Sequence, residues 1–217
     1  MDQADLAAIR AHPAGVDADA ALIAADAAMA SDNRNLRVAA LRVLQGLATR
    51  SDAASTVSAR TSILLMGLND SSRRVRAEAA KLAPAYLASP TIAQRLLDIA
   101  CDTREKRKIR SSAIFALTGN RIPHRRLVSV LRGMLEHQRD RGIATIALLR
   151  AEACPAVSNL LRSVIARGDR REAVLATRAM SGDRLASVME MNEDERASLS
   201  PADRAMQALT WWWVRRV

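Results

Sequence analysis

Apolar residues recur at helical spacing from Ala18 to Met180, in short blocks separated by polar turns. The pattern predicts pairs of helices, a first helix A and a second helix B, repeated along the chain. Helix A is predicted near 18–30, 53–68, 90–101, 123–136 and 155–166, and helix B near 34–49, 73–88, 104–118, 139–151 and 169–180. The A–B turns hold Ser31-Asp32-Asn33, Asn69-Asp70-Ser71-Ser72, Asp102-Thr103 and Gly168-Asp169, residues that cap a following helix. Gly119-Asn120 and Gly182-Asp183 follow helix B as stop signals. Ser200-Pro201-Ala202-Asp203 predicts the start of a further, C-terminal helix.

The blocks are copies of one unit. Leu36-Arg37-Val38-Ala39-Ala40, Val75-Arg76-Ala77-Glu78-Ala79 and Ile109-Arg110-Ser111-Ser112-Ala113 align without gaps. Weaker copies start at Asp140-Arg141 and Arg170-Arg171, so the arginine spacings are 39, 34, 31 and about 30 residues, a two-helix period. Pro90, Pro123 and Pro155 mark the same period at the start of helix A, where a missing N–H is harmless.

The stretch from Leu64 to Leu82, LLMGLNDSSRRVRAEAAKL, resembles a HEAT-like repeat: a leucine-rich helix A, a turn with Asp, and a helix B opening on Val-Arg with a small-residue seam. The resemblance spans about 17–180 and is sharpest at Leu36–Leu44 and Leu64–Leu82. It implies an all-α, right-handed α-solenoid of about five helix pairs. A helical cap over 1–16, repeats over 17–182 and a capping helical region over 183–217 are expected. It also implies that Arg37, Arg76 and Arg110, with Asp32, Asp70 and Asp102, bond neighbouring turns together, a role that the planar fork of Arg suits.

Composition agrees with a helical core and excludes several classes. Aromatic residues are 2% of the 217, so the core must be aliphatic, and eight Gly with six Pro are too few for a turn-rich sandwich or barrel. Cys101 and Cys154 stand apart in apolar helical contexts, with no CxxC or Cys/His cluster, so zinc and disulfides are not expected. The acidic N-terminus has no signal-peptide pattern and no stretch is apolar enough to span a bilayer, which predicts a cytoplasmic protein.

Charge alters the picture most. The formal net charge is +10, carried by 30 Arg and 3 Lys against 23 acids. Residues 1–32 sum to −5, residues 33–178 to +16 and residues 179–217 to −1, so the excess lies in the repeat body. Arg73, Arg74, Arg104, Lys106, Arg107 and Lys108 crowd the A–B turns and the first turn of helix B, and Arg121, Arg125 and Arg126 follow at an inter-repeat turn. Arg139, Arg141, Arg167, Arg170 and Arg171 continue the series. A cation at a helix N-terminus opposes the helix dipole, at about 0.3–1 kcal/mol each. A cost repeated in successive units points to use, against the alternative of a solvated face encoded by a GC-rich genome.

No catalytic arrangement is visible. His12, His124 and His137 lack metal-binding spacing, and no GxSxG, GxGxxG or phosphate-cradling loop occurs. The cluster Glu190, Glu193, Asp194 and Glu195 is read as belonging to a short helix capped by Asn192 with an acidic first turn, with divalent-ion binding as the alternative. Trp211-Trp212-Trp213 cannot all face one core and is read as an end cap, with partner contact, base stacking and membrane-interface anchoring as alternatives.

The expectation is therefore a non-enzymatic solenoid without metal or cofactor that contacts nucleic-acid phosphates, duplex DNA above all. The alternative is a protein–protein adaptor for an acidic partner. HEAT-like alkylpurine DNA glycosylases resemble the chain in size, charge and helical architecture. They work with an acid and tryptophans in a groove, whereas no Trp precedes residue 211 and only Glu136 or Asp140 is read as a central acid near Arg clusters. Phycobilin lyases, another group with such repeats, would need bilin-handling acids and aromatics that are not found.

Overall fold

A computed structural model describes residues 18–47, 54–119, 123–167 and 170–180. The described residues form ten α-helices: α1 (Ala18–Met29), α2 (Arg34–Leu47), α3 (Ala54–Leu68), α4 (Arg73–Leu82), α5 (Pro90–Cys101), α6 (Arg107–Thr118), α7 (Arg125–Glu136), α8 (Gln138–Arg150), α9 (Pro155–Arg167) and α10 (Arg170–Met180). No strand occurs among them. The predicted caps over 1–16 and 183–217, and the Trp211–Trp213 run, lie outside the described residues.

Contacts divide the chain into two units, Met1–Leu117 and Thr118–Val217. In the first, α1 pairs with α2 and α3 with α4, while α1 packs on α3, α3 on α5, and α2 on α4. First helices thus stack on first helices and second on second. Leu41, Leu44, Leu64, Leu68 and Leu96 are sealed from solvent, the aliphatic core that so few rings require. Gly67 permits a close approach: a Cβ there would meet Leu41 Cδ2 at 2.8 Å and the Ala79 Cβ at 3.0 Å.

The second unit repeats the scheme. Helix α7 pairs with α8 and α9 with α10, α9 packs on α7, and α10 on α8. Residues 142–149 of α8 are all buried, so this helix is apolar around its circumference because neighbours cover it on several sides.

Proline explains where helix bounds depart from the apolar pattern. Pro90 and Pro155 are first residues of α5 and α9. Pro123 instead precedes α7, which His124 caps by accepting the Arg126 amide at Nδ1 (3.3 Å). Helix α4 stops at Leu82 rather than near 88, and Ala83–Tyr86 turn as a 3-10 helix. Pro84 has no N–H to continue the α ladder, and its ring clashes with the preceding turn. Helix α6 begins at Arg107 rather than 104, because Asp102 Oδ1 takes the Arg104 amide (2.9 Å) and Glu105 Oε1 the Lys106 amide (2.8 Å), closing a turn first. Cys101 and Cys154 are free thiols, both half-buried.

Candidate nucleic-acid interface

The A–B turns of the first unit are joined by arginines of helix B. Arg37 donates from Nη1 to the Ser31 carbonyl of its own turn (2.7 Å). Its Nε and Nη2 go to Asp70 Oδ2 and Oδ1 in the next turn (2.6 and 3.1 Å). Arg76 repeats the device one pair later: Nη1 takes the Asp70 and Ser71 carbonyls (2.7 and 2.9 Å), while Nε and Nη2 grip Glu105 (2.6 and 2.9 Å). Both pairs are largely buried. The Asp70 hydrogen bond raises the Arg37 pKa against the opposing effect of burial, and Glu105 does the same for Arg76. The Glu105 carboxyl is held below the usual carboxylate range, chiefly by the Arg76 hydrogen bond and against burial, with help from the Lys106 amide and the charge of Arg73.

Only part of the expected ladder has the expected members. Asp70 serves twice, since its Oδ1 also accepts the Ser72 amide (2.7 Å), closing a turn just ahead of α4. Asp32 and Asp102 are exposed and act on Arg37 and Arg76 only through their charge. Glu105, which the sequence reading passed over, takes the place given to Asp102. The α5–α6 turn is longer, so the residue facing Arg76 sits closer to helix α6, and a glutamate arm spans the gap. Arg110 Nε is buried and makes no hydrogen bond among the described residues. In the second unit Arg141 holds the Leu135 carbonyl through Nε (3.0 Å).

These bonds set the three turns side by side, and with them the N-termini of the B helices. Arg74 Nη1 reaches Asn35 Oδ1 at 3.1 Å, tying the start of α4 to the start of α2. Arg34, Arg73, Arg74, Arg104, Lys106 and Lys108 are all exposed along this edge, and Arg107 is half-buried beside them. Across 31–37, 69–76 and 102–110 there are ten cationic and four acidic side chains. Asp70 and Glu105 are matched by Arg37 and Arg76, so the outward charge is strongly positive. Arg34 was not among the expected contacts; its place as first residue of α2 was the available signal.

The remaining expected contacts are distributed otherwise. Arg125 and Arg126 open α7, whereas Arg139 lies in the first turn of α8. The two helices run antiparallel through a tight turn, so these cations stand at opposite ends of the pair, about 18 Å of helix apart. Arg121 lies outside the described residues, as do the side chains of Arg170 and Arg171. No tryptophan occurs among the described residues. Nor does any group of three or more His, Cys, Asp or Glu among them lie close enough to hold a metal. No described helix is long and apolar enough to cross a membrane.

No protein-family model matches the sequence, and no curated protein or solved structure is detectably similar to it.

Proposed function

We propose that the chain is a non-enzymatic, HEAT-like α-solenoid of about five helix pairs that binds nucleic acid through phosphate contacts, duplex DNA above all. The packing of first helix on first helix and second on second, found in both units, supports the architecture. The observation that carries the function is the edge from Arg34 to Lys108: exposed cations at the N-termini of three successive B helices, where the dipole disfavours them. The side chains of Arg34, Arg73, Arg104, Lys106 and Lys108 make no hydrogen bond or ion pair among the described residues, so their donors are available to phosphate oxygens. With no tryptophan among the described residues, the edge suits backbone geometry more than unstacked bases.

The test is a variant carrying Arg34→Glu, Arg73→Glu, Lys106→Glu and Lys108→Glu. Acids at these positions favour the helix dipole, so loss of binding would not report loss of fold. Wild type should be retained on heparin and shift a duplex at low salt; the variant should do neither and keep its circular dichroism. Absence of binding by wild type would overturn the reading.

A second reading, a protein–protein adaptor, draws support from α1. Ile23 is 72% exposed beside a groove of about 800 Å³ lined in part by Leu22, Ile63 and the acids Asp19 and Asp26. Retention of a protein partner by the fourfold variant would favour it.

A further inference from the structure

The second unit holds a pocket of about 230 Å³ beneath the α7–α8 turn and helix α9, well away in sequence from the basic edge. Arg132, Arg141 and Arg167 line it with a single carboxylate, Glu136, and its apolar lining includes Leu160 and Val164. Among the described residues the side chains of Arg132, Arg167 and Glu136 make no ion pair or hydrogen bond.

Arg141 is the telling member. In the first unit, Arg37 and Arg76 each hold a carbonyl six residues upstream and give two further N–H groups to a carboxylate. Arg141 holds the corresponding carbonyl, that of Leu135, six residues upstream at 3.0 Å, but through Nε rather than Nη1. No carboxylate follows: both terminal nitrogens lack a partner among the described residues. The anchor fixes the plane of the guanidinium and leaves two parallel donors at a pocket bordered by two further guanidiniums. A fixed fork of this kind matches a carboxylate or phosphate in bidentate fashion.

We propose that this pocket binds the oxyanion of a small organic acid, a phosphate or a carboxylate, with its head on Arg141 and its apolar body against Leu160 and Val164. Arg132 and Arg167 outweigh Glu136 and supply the attracting field. The volume lies below the usual range for drug-sized ligands, about 300–1,000 Å³, so the ligand is small. The apolar lining would be left without a partner by an inorganic ion. The proposal does not depend on the basic edge of the first unit.

Titration of the full chain with phenyl phosphate, benzoate and inorganic phosphate, followed by methyl NMR and calorimetry, tests it. Phenyl phosphate or benzoate should bind one to one, shift the Leu160 and Val164 methyl signals, and bind at least about tenfold tighter than inorganic phosphate. The tighter of the two identifies the head group. Arg141→Gln should weaken binding by about tenfold or more. The paired change Arg132→Gln with Arg167→Gln alters only exposed side chains and should weaken binding without altering unfolding. Absence of saturable binding at millimolar concentration would overturn the proposal, as would equal affinity in both variants and wild type.

Discussion

Removing the Asp70 carboxylate tests the link between helix pairs at its most connected point. Asp70→Ala deletes two bonds from Arg37 and the turn bond from the Ser72 amide. The lost turn bond costs about 1 kcal/mol. Breaking a deeply buried ion pair costs about 3–5 kcal/mol, and an exposed pair is worth about 0–1 kcal/mol. The side chains of Arg37 and Asp70 are 13% and 7% exposed, and Arg37 keeps the Ser31 carbonyl, so the pair stands between these limits. Taking about 2 kcal/mol for it gives about 3 kcal/mol in all for Asp70→Ala. Asp70→Asn keeps an oxygen for Ser72 and should lose about half of that. Asp102→Ala removes one exposed bond to the Arg104 amide and should cost no more than about 1 kcal/mol. Urea unfolding followed by far-ultraviolet circular dichroism measures all three, and the loss should fall in the transition of the first unit if the units unfold separately. Arg37→Gln combined with Asp70→Asn should show a coupling of about 1–2 kcal/mol. Equal effects of Asp70→Ala and Asp102→Ala, or additive single changes, would refute the ladder.

Acid should weaken the first unit through Glu105. Its pKa is lowered in the folded state, so its stabilising share is complete above the unfolded value of about 4.3 and vanishes as pH falls through the lower folded value. Glu105→Gln should flatten the acid limb of a stability–pH curve; an unchanged limb would contradict the assignment. The glycines of α3 and α7 should respond with opposite signs. Gly67→Ala must displace the buried Leu41 and crowd Ala79, costing about 1–3 kcal/mol, partly offset by helix propensity. Gly133→Ala meets nothing within 4 Å and should stabilise by up to about 1 kcal/mol in thermal or urea unfolding.

The helices were legible because apolar spacing, caps and prolines agreed, as at Pro90 and Pro155. Where one local signal conflicted with another, the bounds moved: Pro84 ended α4 early, inside a stretch whose apolar pattern ran on to Leu87. The arginines joining the turns were legible as repeat positions, but their partners were not. Asp102 shares the turn chemistry of Asp70, yet contact depends on where a turn of different length places each carboxylate, and Glu105 reaches where Asp102 does not. Gly67 gave no sign in sequence of the close helix approach that it permits. The Arg132–Arg141–Arg167 pocket joins three helices and emerges only from packing. The recurring cations at B-helix starts were visible throughout, whereas their division between two ends in the second unit follows from helix direction.

The salt dependence of duplex binding tests the central claim most directly. Each phosphate contact releases counterion and contributes about −0.9 to the slope of log K against log salt. Four to six contacts from Arg34, Arg73, Arg74, Arg104, Lys106 and Lys108 predict a slope of about −3.5 to −5.5 for wild type. The fourfold Glu variant should show little or no binding at any salt. A wild-type slope shallower than about −1, or a variant whose affinity and slope match wild type, would contradict a phosphate-binding edge.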